Sequence, residues 1–143
     1  MAVSGEYACV TEGGGGRVCN RATPAAPAES GYLYTPSDAT GVAVSGDYAY
    51  VADGASGLRI INVANPAAPN EVGFYDTPGS AEDVSVVGRY ACVADMGGGL
   101  RIVDVSDPAL ASEVGFYHTP GYAGAVAMAE GCACAAAGEG GLR

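Results

Sequence analysis

A unit of about 42 residues recurs along this chain, and the recurrence limits the folds that it can adopt. Residues 58–66 (LRIINVANP) align with residues 100–108 (LRIVDVSDP), and residues 71–79 align with residues 113–121 at the same offset. A period of about 40 to 45 residues is typical of four-stranded β-propeller blades, whereas helical arrays of similar period are built from helix-forming repeats. The repeat therefore predicts an all-β chain made of four-stranded antiparallel propeller blades.

The complete unit at residues 41–78 contains four short segments with strand character, separated by turn residues. These segments lie at residues 42–44, 48–53, 58–63 and 71–76. Gly46 suits the first tight turn because glycine tolerates positive φ, and Pro66 ends the third strand because proline cannot donate to a ladder. The third strand is apolar on both faces, so we expect neighbouring blades to cover it on both sides.

The chain holds about three and a half such units. We predict one propeller fragment over residues 1–143, with full blades at 41–78 and 83–120 and partial blades at 1–36 and 123–143. Propellers close with roughly 4 to 8 blades, so this number predicts a partial or open propeller. Both ends of the chain fall inside a unit, and we expect further blades or another copy of the chain to close a ring.

Two other architectures fit the sequence less well. A helical array is disfavoured by the 23 Gly and 8 Pro, because an interior Gly or Pro costs a helix about 1 or 3 kcal/mol. A parallel β-solenoid, the main alternative, would use shorter coils, and the glycine-centred hairpin signals favour antiparallel strands.

The repeat resembles a known family at its most regular segments. Residues 100–108 (LRIVDVSDP), preceded by residues 90–95 (YACVAD), resemble the LVIVD repeat family of bacterial and archaeal proteins. The resemblance implies β-propeller blades and an extracellular or cell-envelope location, but no biochemical activity. It is weaker at residues 17–24, which Arg21 interrupts, and at residues 132–138, which lose the aromatic and the acid. WD40 blades are disfavoured because the chain contains no Trp.

The composition argues against two classes of partner. The net charge is −10 and all six basic residues are Arg, so the chain has no basic stripe to neutralise phosphates, and we do not expect nucleic acid as a partner. No apolar run approaches the ~20 residues of a membrane span, so membrane insertion is not expected. Residues 1–6 lack the basic and apolar regions of a signal peptide.

The five cysteines form no metal-like pattern. Cys9, Cys92 and Cys134 align with Tyr50, which predicts that they are buried apolar residues of the blades. A disulfide or metal site is the alternative, and it concerns mainly Cys132 and Cys134.

Polar residues that recur in every unit are best explained by the blade itself. Two polar positions recur before the proline of each unit. Asn62 aligns with Asp104, and Asn65 aligns with Asp107. Each of these side chains is expected to hydrogen-bond the backbone of the turn in its own unit. Asp53 and Asp95 are expected to cap the second hairpin, with weak Ca²⁺ binding as the alternative. No calcium loop is present in the sequence.

A column of arginines also recurs, at Arg17, Arg59, Arg101 and Arg143. It predicts an ion pair or a hydrogen bond to a loop carbonyl in each blade, and the alternative is a ring of Arg that binds an anion.

The acids that do not recur are the candidates for chemistry. Glu82 and Asp83 precede an inner strand that should line the channel, where a paired acid could hold a cation or polarise a water. The alternative is a pair of solvated linker charges. His118 is the single His of the chain, and we expect it to be a surface residue.

The sequence therefore supports a non-enzymatic repeat module that binds or scaffolds a protein or glycan partner through loops on rigid blades. Tyr122 and Met96 are the candidate binding-loop residues. The alternative is a fragment of a propeller enzyme with a channel-facing acidic or metal site, and a third reading is a purely structural segment of a surface protein. No catalytic residue is assigned, and no cofactor is expected apart from the weak Ca²⁺ alternative.

Overall fold

The computed structural model describes the backbone of residues 2–4, 7–12, 15–20, 28–129, 132–138 and 141–142, and the side chains of Cys9, Thr11, residues 31–129 and Gly138. Within these residues the strands are β1 (Ala2–Ser4), β2 (Tyr7–Glu12), β3 (Gly15–Asn20), β4 (Ala28–Tyr34), β5 (Gly41–Ser45), β6 (Tyr48–Ala52), β7 (Leu58–Asn62), β8 (Asn70–Tyr75), β9 (Asp83–Val87), β10 (Tyr90–Ala94), β11 (Leu100–Asp104), β12 (Ser112–Tyr117), β13 (Ala123–Ala129), β14 (Cys132–Ala137) and β15 (Gly141–Leu142).

Consecutive strands form antiparallel meanders, one for each repeat. We call the sheets blade 1 (β1–β4), blade 2 (β5–β8), blade 3 (β9–β12) and blade 4 (β13–β15), the last with three strands in the described residues. A single 3-10 helix, Pro108–Leu110, interrupts the strands of the described part. The prediction of an all-β chain with four-stranded antiparallel blades of a partial propeller is confirmed.

Equivalent residues of successive blades have equivalent pairing. Val51 lies opposite Arg59 in blade 2, and Val93 lies opposite Arg101 in blade 3. The third and fourth strands show a register shift at Ile60/Ile61 in blade 2, and the same shift occurs at Ile102/Val103 in blade 3. The repeat in sequence is therefore a repeat in conformation.

Apolar cores lie between successive blades rather than inside one blade. Between blades 2 and 3, Leu58 and Ile60 pack with Val93 and Val103. On the opposite face of β7, Ile61 packs with Val51 and Cys9 towards blade 1. A smaller core between blades 3 and 4 contains Cys92 and Leu100. The third strand is thus covered on both faces, as its sequence predicts, and face-to-face stacking is the source of hydrophobic stabilisation.

The connection between the third and fourth strands of one blade covers the outer strand of the preceding blade. A Cβ added to Gly31 of β4 would lie 2.0 Å from the carbonyl oxygen of Pro66 in blade 2. Gly73 of β8 is covered in the same way by the turn at Pro108. The turn that covers Gly73 thus comes from the next repeat.

The described residues contain no helix that is long and apolar enough to cross a membrane.

Candidate binding site at the junction of blades 3 and 4

A buried carboxylate joins blade 2 to the linker that enters it from blade 1. Asp53 follows β6 and is fully buried, with 0% of its surface exposed. Its Oδ1 accepts a hydrogen bond of 2.5 Å from Thr35 Oγ1, and its Oδ2 accepts one of 3.0 Å from Ser37 N. Thr35 and Ser37 belong to the linker between β4 and β5. Asp53 therefore connects successive blades.

This arrangement corrects the expectation that Asp53 caps its own hairpin. The N–H groups of Ser56 and Gly57 already bond the backbone carbonyl oxygens of Asp53 and Gly54. These bonds do not involve the Asp53 carboxylate, and a buried carboxylate requires hydrogen-bond donors. The linker supplies these donors.

The junction between blades 2 and 3 repeats the arrangement with Asp95, which is also fully buried. Gly79 N, the equivalent of Ser37 N, donates to Asp95 Oδ2 at 2.8 Å. Thr77 Oγ1 and Asp95 Oδ1 are the counterparts of the bonded pair in the preceding junction. Among the described residues, neither of these two buried atoms has a hydrogen-bond partner.

At the junction between blades 3 and 4, the aspartate of this position is replaced by an alanine. Ala137, which pairs with Ala123 in the sheet, stands in the position of Asp53 and Asp95. The equivalent threonine, Thr119, donates instead to the carbonyl oxygen of Gly121, at 2.5 Å. Within the described residues, the linker at this junction therefore has the donors of the repeated link without its carboxylate acceptor.

A pocket of about 520 Å³ lies at this junction. Its described lining consists of the linker residues Thr119, Pro120, Gly121 and Tyr122 together with Gly97 and Gly138, one from each neighbouring hairpin. The Tyr122 side chain is 67% exposed at the edge of the pocket. The pocket thus combines linker donors with an exposed aromatic ring.

Of the two predicted loop residues, Tyr122 lines this pocket. Met96 does not line it, but it is bonded to Ala123, the residue after Tyr122. Met96 forms an isolated antiparallel bridge with Ala123, through Met96 N to Ala123 O at 2.9 Å and Ala123 N to Met96 O at 3.0 Å. Gly138 N donates to Tyr122 O at 3.0 Å. Both loop residues are therefore held by backbone hydrogen bonds.

Met96 adopts φ of 48°, and it is the one non-glycine residue with positive φ in the part of the chain that the structure describes. Glycine occupies the same position in blade 2, as Gly54 with φ of 54°. A left-handed conformation costs a residue with a side chain about 1 to 2 kcal/mol. The bridge to Ala123 offsets this cost and keeps the loop in place.

The recurring arginines have partners inside their own blades. Arg101 lies 3.3 Å from Glu113 Oε1 and donates from Nε to the carbonyl oxygen of Gly98 at 3.0 Å. Its guanidinium stacks over Phe116 at 4.8 Å from the ring centre. The guanidinium of Arg59 stacks over Phe74 of blade 2 in the same way, at 4.7 Å from the ring centre. The described arginines confirm the predicted ion pair and loop carbonyl bond, and the bond to Gly98 also anchors the loop that carries Gly97.

The acidic candidates Glu82 and Asp83 are engaged in local hydrogen bonds. Asp83 Oδ1 accepts from its neighbour Val84 N at 2.9 Å, and Asp83 Oδ2 accepts from Val126 N of blade 4 at 3.0 Å. Glu82 Oε1 accepts from Ser80 Oγ at 3.1 Å. The two acids do not converge with other acids: within the described residues, no group of three or more His, Cys, Asp or Glu could hold a metal ion.

The remaining candidates lie apart from the pocket. His118 is exposed, as predicted, and its ring contacts Phe116 edge to face with 5.1 Å between ring centres. Cys9 and Cys92 are buried in the interblade cores, as predicted. The side chains of Cys132 and Cys134 and of Arg17 and Arg143 lie outside the described residues.

Sequence reasoning missed Thr119, Gly121 and Gly97 as parts of a site. A signal was present, because Ala137 breaks a column that holds Asp in the two preceding blades. The hydrogen bond between the aspartate of this column and a threonine could not be predicted from the sequence. The two residues, such as Thr35 and Asp53, lie 18 positions apart and meet only in the folded chain.

Solved structures share this fold at low sequence identity. The crystal structure of the computationally designed Ika4 protein superposes with a TM-score of 0.82 at 9% identity, over 99% of this chain and 86% of that one. A chain of the S. cerevisiae dbp5 l327v complex with nup159, gle1 h337r, ip6 and adp gives a TM-score of 0.64 at 9% identity. In that case 99% of this chain matches, and it spans 38% of the other. At this identity the similarity concerns the fold alone.

Comparison with sequences identifies the family. No curated protein matches the chain. The model of the LVIVD repeat matches residues 1–18, 36–77 and 78–119, which together cover more than half of the sequence. These matches include the segments on which the resemblance rests, so the chain belongs to the LVIVD repeat family.

Proposed function

We propose that this LVIVD repeat module is a non-enzymatic binding module, and that it contacts a protein or glycan partner at the junction of blades 3 and 4. The observation that supports this most is Tyr122, 67% exposed at the edge of a pocket of about 520 Å³. Such a ring offers a large contact area at a small entropy cost, and tyrosine is enriched at the energetic centres of interfaces.

The aromatic residue at this place is not a requirement of the blade. Ser80 and Asp38 occupy the same position in the two preceding linkers. Ser80 bonds the carboxylate of Glu82, so the equivalent position serves the linker itself in blade 3. Tyr122 makes the last of these junctions chemically different from the others.

The surface around Tyr122 is rigid, which favours binding. Backbone bonds hold Met96 and Tyr122 in place, and Arg101 holds the carbonyl oxygen of Gly98. A preorganised surface loses less entropy when a partner binds. Gly97 lies beside the ring, since a Cβ added to it would be 3.5 Å from Tyr122 Cε1.

The enzyme alternative has weaker support. It needs Asp83 to face a substrate or a metal, and both of its carboxylate oxygens accept backbone hydrogen bonds. Asp83 is better explained as an acceptor for the inner strand of blade 4. A secreted or surface-attached location remains part of the proposal, because it follows from the family resemblance.

Binding of the purified chain to a glycan array and to a displayed peptide library would test the proposal. The informative variant is Tyr122→Ala, and its matched control is Tyr117→Ala, which removes another exposed tyrosine on β12. We expect a ligand whose binding falls at least tenfold in Tyr122→Ala and is unchanged in Tyr117→Ala. Absence of any ligand, or equal loss in both variants, would argue against this surface.

A further inference from the structure

We infer that the pocket at the junction of blades 3 and 4 binds a carboxylate group of a ligand, in the place that an aspartate side chain fills at the two preceding junctions. The inference builds on the proposed function, since it names the chemical group that this same pocket recognises. Three observations support it: the donors, their present partners and the space.

The donors recur at each junction. Thr35 Oγ1 and Ser37 N hold the carboxylate of Asp53, at 2.5 and 3.0 Å. At the next junction, Gly79 N holds Asp95 at 2.8 Å. At that junction Thr77 Oγ1 makes no hydrogen bond within the described residues. The corresponding groups in the last linker are Thr119 Oγ1 and Gly121 N. The last linker therefore carries the same two donor groups, and Ala137 stands in the position of Asp53 and Asp95.

The donors of the last linker are available. Gly121 N donates to no group within the described residues. Thr119 Oγ1 donates to the carbonyl oxygen of Gly121. Its counterpart Thr35 Oγ1 makes that same local contact with Ser37 O, at 3.3 Å, while it bonds Asp53. The hydroxyl of Thr119 can therefore turn to a carboxylate without any change in the backbone.

The space is also sufficient. The pocket volume of about 520 Å³ exceeds what a carboxylate requires, so the chain that bears the group can leave past Tyr122. Hydrogen bonds to a charged acceptor are stronger than those between neutral groups, which favours a carboxylate as the acceptor for these donors. The geometry thus suits an Asp or Glu side chain, a chain-terminal carboxylate or a uronic acid.

The charge of the protein adds a recognisable signature. A net charge of −10 repels anions at long range. Added salt screens this repulsion over a Debye length of about 10 Å at 0.1 M. We therefore expect the affinity for a carboxylate to rise with NaCl concentration, the reverse of binding at a basic patch.

The test follows the amide resonances of Thr119 and Gly121 by NMR while sodium acetate is added to the full chain. We expect saturable shifts of both resonances with acetate and none with acetamide, the neutral isostere. Thr119→Val should weaken acetate binding about tenfold, as the loss of one such hydrogen bond implies. Thr35→Val is the matched control, because it removes the equivalent hydroxyl at a junction already filled by Asp53.

The second variant, Ala137→Asp, places the missing acceptor inside the chain. We expect a higher melting temperature and no response of Gly121 to acetate. If acetate leaves Gly121 of the wild-type chain unmoved at all salt concentrations, the inference is overturned, whether or not this variant folds. Titrations with glucuronate and with a peptide that contains Asp then distinguish a sugar from a protein as the source of the group.

These outcomes separate the inference from the proposed function. Tyr122-dependent binding of a partner without any acetate response would refute the carboxylate site alone. A saturable acetate response without any Tyr122-dependent partner would support the carboxylate site and refute the binding-module proposal.

Discussion

The carbonyl oxygen of Pro108 lies directly over Gly73, so close that a Cβ at residue 73 would be 1.8 Å from it. Gly73 belongs to the outer strand of blade 2, and Pro108 begins the 3-10 helix of blade 3. The glycine is therefore explained by the packing of the following blade and not by its own strand. Its equivalent in blade 3, Gly115, has no atom within 4 Å of an added Cβ in the described structure.

These two glycines make a matched pair. Gly73→Ala should destabilise the chain by about 3 kcal/mol, at the upper end of the range for overpacking, because the obstructing atom is backbone and cannot rotate away. Gly115→Ala should change the free energy of unfolding by less than about 0.5 kcal/mol. Urea unfolding of both variants checks this, and equal destabilisation would show that the two outer strands are covered alike.

The uncovered outer strand of blade 3 should bind hydrophobic dyes. Val114, Phe116 and Tyr117 of β12 are each more than half exposed, as is Leu110 before them. Large apolar side chains left exposed on one strand mark an interaction site or an aggregation risk. We expect the isolated chain to enhance the fluorescence of an apolar dye and to self-associate with concentration. Light scattering that shows a compact monomer without dye binding would contradict this.

Removal of the interblade carboxylate should be costly. Asp53→Ala leaves Thr35 Oγ1 and Ser37 N without their partner in a buried site, so we expect a loss of about 3 kcal/mol. Asp38→Ala, in the same linker but exposed, is the control and should cost less than about 0.5 kcal/mol. Thermal unfolding compares them. Similar melting temperatures would mean that the linker does not depend on Asp53.

Acid stability should depend on Asp104. Its pKa is lowered to about 2, chiefly by the hydrogen bond from Arg89 and then by bonds from Ser106. A carboxyl whose pKa falls on folding stabilises the folded state above its unfolded pKa of 3.8, and this contribution is lost as the pH falls through about 2. The acid unfolding curve of Asp104→Asn should therefore be less steep between these values.

Asp104→Asn should keep the turn in which residue 104 accepts a hydrogen bond from Ser106 N. Asn62 stands at the equivalent place in blade 2, and its Oδ1 accepts from Ala64 N at 2.9 Å, as Asp104 Oδ1 accepts from Ser106 N at 2.9 Å. At neutral pH we expect unchanged circular dichroism. An acid unfolding curve identical to that of the wild type would show that the Arg89 pair does not contribute.

The Cys92 thiol should be unreactive in the folded chain. Burial raises its pKa to about 11, so at pH 8 almost no thiolate is present, and the thiolate is the reactive form. Mass spectrometry of the Cys92 peptide after iodoacetamide treatment should show modification in urea and little without it. Rapid labelling of the native chain would mean that the core between blades 3 and 4 opens readily.

Local chemistry made several features predictable. Asn65 and Asp107 each accept a hydrogen bond from the amide two residues later, at 3.2 Å, because a short polar side chain before proline can reach only its own turn. The alternation in β7 likewise placed Leu58 and Ile61 on opposite, covered faces. Such features depend on residues a few positions apart.

The period and pattern of the chain alone thus determined the blade, its four strands and their stacking, because hydrophobic periodicity and turn chemistry act over short distances. The tertiary structure decided what the buried acids do. Asp53 bonds a threonine of the preceding linker, because stacking brings together groups that no local pattern relates. At the last junction Ala137 replaces that aspartate, and within the described residues the equivalent Thr119 bonds a backbone carbonyl oxygen instead. The candidate site also depends on the tertiary structure, because it lies between two repeats and arises where the last repeat has Ala137 in place of aspartate.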